Sequence, residues 1–189
     1  MHLLKRIAVQ LSLVLLISAV FFGTPEALES NATPLQSLFM IKQILPQVKT
    51  VGLMYKQSAD NGGNLLNQVK RASASFGVKI VLADIEGLPD VAAQFRDLTG
   101  SYHIQALWVI QNSNVLGSSV ARDYLIKNAA LQGIPLFAPN TNWVSAGACA
   151  AVVTDGANTK LYVNQKTLNA LGLKVPEKYA SVTQVLASN

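Results

Sequence analysis

Between Val48 and Ala148 the chain alternates short apolar runs, polar loops and longer stretches whose apolar residues recur at helical spacing. Residues 50–55 (TVGLMY), 79–85 (KIVLADI), 106–110 (ALWVI) and 135–138 (PLFA) are brief and apolar, the pattern of strands buried on both faces of a parallel sheet. Ahead of the first run, Leu35, Leu38, Phe39, Ile41, Ile44 and Leu45 form a helical stripe over 33–45. Thr33 is placed to cap this helix, Pro34 sits in its first turn and Pro46 stops it. In 64–76, Leu65, Leu66, Val69, Ala72 and Phe76 share one face and Gly77 ends the helix. Residues 89–98 and 113–131 predict two more crossover helices, the first with Asp90 where a carboxylate suits the helix dipole.

Beyond Ala148 the pattern predicts a fifth strand at 150–153, a turn at 154–158, a short helix at 164–171 stopped by Gly172, and an edge strand within 181–186. Repeated right-handed strand-helix-strand units imply an α/β fold of three layers, a mostly parallel, doubly wound sheet of about five strands.

In such a sheet the loops after the carboxyl ends of the strands line a crevice. Three of them carry uncharged hydrogen-bonding side chains, with Asp60 the one charge among them: Gln57-Ser58-Ala59-Asp60-Asn61, Gln111-Asn112-Ser113-Asn114 and Asn140-Thr141-Asn142. Ser58 and Asn61 lie between a strand and a helix start, where backbone N–H groups favour a carboxylate or phosphate. An N-cap followed by a flexible glycine turn at Gly62-Gly63 explains the same residues. Trp143 beside the third loop reads either as a ring stacked on a planar ligand or as packing.

The order of motifs resembles the substrate-binding proteins of ABC transporters, in the group with tryptophan- and tyrosine-binding members. Ile44-Leu45-Pro46, the strand Val51-Gly52-Leu53-Met54-Tyr55 and the Ser58-to-Asn61 loop follow the start of that family's second lobe. Gly133 to Ala138, Val144 to Ala148 and Asn164 to Pro176 match its later segments, so the resemblance spans the chain from about Leu35 onward. It implies one lobe of a type I periplasmic binding protein in short, single-lobe form. Ser58, Asn61, Gln111, Asn112, Ser113, Asn140 and Trp143 then stand where ligand contacts are expected. The chain departs from the family at Gln57, Gly62 and Asn140. Gln111-Asn112-Ser113 replaces a Thr-Asp-Asn, keeping hydrogen-bonding capacity but losing the carboxylate that would grip an amino group.

The 189 residues are 50% hydrophobic and 13% charged, suiting one compact α/β domain at 30–189. Residues 1–29 read as a secretory signal: Lys5 and Arg6 precede the apolar run 7–22, which Gln10 interrupts. The run falls short of the roughly 20 residues that span a bilayer. An uncleaved anchor is the alternative, and the expected location is periplasmic or extracytoplasmic. Removing this segment takes away two basic and two acidic residues, so the net charge stays at +5. The basic residues are dispersed, and Lys70-Arg71 reads as a solvated helix face, so nucleic acid is not an expected partner.

Chemistry-bearing groups are few. Cys149 is the one cysteine and lies among alanines, which predicts a buried, unreactive thiol. His2 belongs to the signal segment and His103 stands alone as a surface loop residue, so no metal cluster is expected. Gly62-Gly63 lacks the spacing of a dinucleotide loop, and no G-x-S-x-G elbow is present. Asp84 at the end of the second strand suggests a receiver-type acidic pocket, which export argues against.

The expected function is recognition of a small polar ligand, without a cofactor and without catalysis. The expected partners are a membrane permease or sensor and a second copy that completes the cleft. The alternative is an interaction module that docks on a membrane sensor or permease with no small ligand at all.

Overall fold

The computed structural model describes residues 30–59, 63–110, 113–155 and 158–187. The secretory signal expected at 1–29 lies outside the described residues. From the N-terminal side the elements are β1 (Ser30–Asn31), α1 (Pro34–Ile44), β2 (Thr50–Tyr55), α2 (Asn64–Phe76), β3 (Lys79–Asp84), α3 (Leu88–Gly100) and β4 (Ala106–Val109). There follow α4 (Ser119–Leu131), β5 (Leu136–Ala138), α5 (Thr141–Ser145), β6 (Ala150–Asp155), β7 (Asn158–Asn164), α6 (Gln165–Ala170) and β8 (Thr183–Leu186).

Local sequence chemistry sets the helix ends. Thr33 Oγ1 accepts from the Gln36 amide at 3.3 Å, and the Gln36 side chain accepts from the Thr33 N–H at 2.9 Å. This reciprocal box, with Pro34 in the first turn, satisfies donors that a helix start leaves open. At α3 the Asp90 carboxylate accepts from the Glu86 and Gly87 N–H groups at 3.0 and 2.8 Å. Gly77 ends α2 at φ +60°, a conformation that glycine adopts without steric cost.

The strands form one eight-stranded sheet in the order β3-β2-β4-β5-β6-β7-β8, with β1 paired antiparallel to β6. Pairing is parallel from β3 through β6, antiparallel between β6 and β7, and parallel again between β7 and β8. Successive residues point to opposite faces of a strand, and burial follows that rule. Val51, Leu53 and Tyr55 join one core with α1, α2 and α6, where Leu38, Ile41, Val69, Ala72 and Leu168 pack. Met54 joins the other with α3, α4 and α5, where Phe95, Leu98, Leu125 and Trp143 pack. The three layers expected from the sequence are therefore present.

Three expectations are corrected. The sheet has eight strands rather than about five, because β1 pairs with β6, 158–164 is a strand that turns back antiparallel on β6, and the edge strand β8 joins β7. In NTKLYVN only Leu161, Val163 and Asn164 are fully buried, so the stretch lacks a continuous apolar run. The third crossover helix begins at Ser119 rather than 113, since Ser118 Oγ accepts from the Ala121 N–H at 3.2 Å and caps it. Part of the third loop, from Thr141, is the short helix α5.

Candidate functional site

Adjacent parallel strands carry all three polar loops to the same edge of the sheet. β2 pairs with β4 from Val51↔Ala106 to Met54↔Val109, and β4 pairs with β5 at Leu107↔Leu136 and Trp108↔Phe137. The chain runs from β2 outward to β3 through α2 on one face, then returns over the other face through α3 to β4. The loops after β2 and β4 thus leave neighbouring strands toward opposite faces. That reversal makes the carboxyl ends of β2 and β4 a topological switch point, the place where open α/β sheets bind their ligands.

The first loop is pinned from the side. After buried Tyr55 the chain forms a single 3-10 turn, Gln57–Ala59, which leaves Ser58 exposed. The Gln57 N–H donates to Asp84 Oδ1 at 2.9 Å, and Ile85 N–H donates to the Tyr55 carbonyl at 2.9 Å. Lys56 Nζ donates to the Glu86 carbonyl at 3.2 Å and lies 3.6 Å from its carboxylate. Asp84 is therefore a latch for the loop carrying Ser58, a role that its position in the sequence alone did not signal.

Asn61, Gln111 and Asn112 lie outside the described residues. Gly63 follows the first of them at φ +70° and stands as the N-cap of α2, with no side-chain hydrogen bond to the helix start.

Ser113 is half-buried and begins the turn after β4. Its Oγ accepts from the Leu116 N–H at 3.2 Å and its carbonyl from the Gly117 N–H at 2.6 Å. Its hydroxyl proton is still able to donate. Asn140, also half-buried, caps α5 by accepting from the Trp143 N–H at 3.4 Å through Oδ1.

Trp143 is a correction to the expected site. It is 1% exposed and packs in the core with α3 and α4, so its ring is no wall of the crevice. The cause is helical phase. Three residues after the cap, one turn of α5 carries the indole inward.

Two further features escape motif reading. Asn164 is fully buried, donating from Nδ2 to the Val144 carbonyl at 2.9 Å and accepting from the Thr167 N–H at 3.0 Å. A cleft of about 410 Å³ opens at the other edge of the sheet, between α4, the end of α5 and α6. Cys149 lines it and is buried as expected. Burial pushes its thiol from the ordinary 9.0 up to about 12, opposed in part by a backbone hydrogen bond from Leu136. His103 is exposed in a turn and Lys70 and Arg71 are exposed on α2, as expected.

The family described as ABC transporter substrate binding protein matches residues 29–165. The chain belongs to that family. Among curated proteins none matches it. Its fold is similar to that of the ABC domain in complex with L-Trp from Streptococcus pneumoniae, with a TM-score of 0.70, 21% identity, and coverage of 81% of this chain and 60% of that one. It is also similar to the ligand-free, open structure of a substrate binding protein with adhesive properties from Clostridium difficile. There the TM-score is 0.69 at 22% identity, covering 84% of this chain and 61% of the other. A conserved domain protein from Vibrio cholerae gives 0.68 at 20% identity, with 83% and 61% covered. This ABC substrate-binding chain thus spans about 60% of the length of these structures. The mostly parallel α/β fold is what they share.

Proposed function

We propose that this member of the ABC substrate-binding family acts outside the cytoplasm and recognises a small polar molecule in the crevice between the loops that follow β2, β4 and β5. The observation that carries the reading is the direct pairing of β2 with β4, whose outgoing loops diverge to opposite faces of the sheet. Ser58 and Asn61 donate to an anionic or carbonyl group of the ligand. Asn112 and Ser113 orient it, with Gln111 beside them, and Asn140 bounds the third side. Trp143 has no direct part, being buried.

The relative from Streptococcus pneumoniae was solved in complex with L-Trp. In the second loop this chain has amides and a hydroxyl where an ammonium group calls for a carboxylate, and Asp84 is engaged with the Gln57 N–H. The preferred ligand is therefore a neutral or anionic molecule rather than an amino acid. An ABC permease is the proposed receiver, and a second copy facing the crevice would exclude water from a ligand that one lobe leaves half open.

Thermal melts against amino acids, nucleobases and organic acids test the reading. A ligand at a hundred times its Kd adds about 2.7 kcal/mol of stability. The expected result is a shift with one class of neutral or anionic compound, lost in Asn61→Ala and Asn112→Ala variants that still fold. Absence of any shift across the panel, or a shift that survives both substitutions, contradicts it.

A further inference from the structure

We propose that the cleft between α4, the carboxyl end of α5 and α6 is a second ligand site, one that takes a small aliphatic monocarboxylate. It lies beside Leu136 and Cys149, at the amino ends of β5 and β6, across the sheet from the crevice. Its volume of about 410 Å³ falls inside the range of small-molecule sites.

The lining chemistry selects the ligand class. Ile126, Ile134, Leu136 and Leu171 give apolar walls, and among the described residues Lys166 is the single charged side chain that borders the cleft. Lys166 is exposed and makes no ion pair among the described residues. An apolar slot with one ammonium at its rim and no carboxylate matches a hydrocarbon chain that ends in an anion. A flexible four-carbon stem lets that ammonium reach a carboxylate while the head stays in water.

Backbone geometry holds the slot open. Gly147 has φ +122°, and a Cβ there would come within 3.1 Å of Ile126 Cγ2, so a side chain at this position would crowd the wall. Thr167 Oγ1 donates to the Gly147 carbonyl at 2.9 Å and fixes α6 against this stretch. Cys149 keeps its proton through the ordinary pH range, so the inner end of the slot stays uncharged.

The test is a titration of the full chain with monomeric hexanoate, octanoate and decanoate, followed through the amide resonances of Gly133, Gly147 and Thr167. These three residues should shift together, and affinity should tighten about fourfold per added CH₂. Ala130 and Ala170 border the cleft and are exposed, so Ala130→Trp and Ala170→Trp fill it without disturbing the core. Each should abolish those shifts. Lys166→Gln should weaken the carboxylates about fivefold and leave octanol unchanged. Shifts confined to other residues, affinity independent of chain length, or binding retained in both tryptophan variants would overturn the proposal.

Discussion

Asn164 donates its side-chain amide to the Val144 carbonyl at 2.9 Å across 20 residues of chain, from a position with no solvent exposure. Its Oδ1 caps α6 through the Thr167 N–H, so one side chain ties the end of β7 to both α5 and α6. Asn164 is therefore a brace. Asn164→Ala leaves buried polar groups with fewer partners and removes a cap. The expected loss is about 2 kcal/mol in urea denaturation. A variant as stable as the parent would show that the brace contributes nothing.

Cys149 predicts an alkaline dependence of stability. The folded thiol holds its proton to about pH 12, whereas the unfolded one releases it from about pH 9. Its contribution is therefore full below pH 9 and is lost as pH rises toward 12, where the unfolded state binds fewer protons than the folded one. In denaturant melts between pH 8 and 11, Cys149→Ala should flatten the decline seen with the parent chain. Parallel curves for the two proteins contradict the assignment. The native thiol should also resist a disulfide reagent at pH 8 until the protein is unfolded.

The Asp84 latch makes a local prediction. Asp84→Ala removes the acceptor of the Gln57 N–H and leaves the strand pairing intact. Hydrogen exchange at Gln57 and Ser58 should quicken at least tenfold, equivalent to about 1.4 kcal/mol, with the β2 amides unchanged. Uniform acceleration across β2 would mean that Asp84 supports the whole strand instead.

Helix capping gives a further check. Thr33→Ala removes the side-chain half of the box at α1, leaving the backbone N–H bond to Gln36 Oε1, and Ser118→Ala removes the cap of α4. Each should cost about 1 kcal/mol in thermal or urea unfolding.

The parallel half of the fold was legible because its strands are buried on both faces. TVGLMY and ALWV read as strands without ambiguity, and α2 ends at Gly77 where the sequence placed it. In the return half the strand β6, the helix α6 and the edge strand β8 were legible too, and β7 was the element missed. β7 is only partly covered, and its apolar signal is diluted by Thr159 and Lys160, half-exposed on the same strand. At the site, strand adjacency was the decisive information. Local spacing marks Ser58, Ser113 and Asn140 as loop residues, but only the order β2-β4-β5 puts them on one edge. The inward phase of Trp143 and the latch of Asp84 depend on three-dimensional neighbours that no single stretch of sequence encodes.

The measurement that bears most directly on the crevice is an amide-resonance titration with whichever compound shifts the melt. Ser58, Asn61, Asn112, Ser113 and Asn140 should move together and saturate at one common concentration. Saturation confined to Gly133, Gly147 and Thr167, with the strand-end loops unmoved, would place recognition at the opposite edge of the sheet and contradict the account.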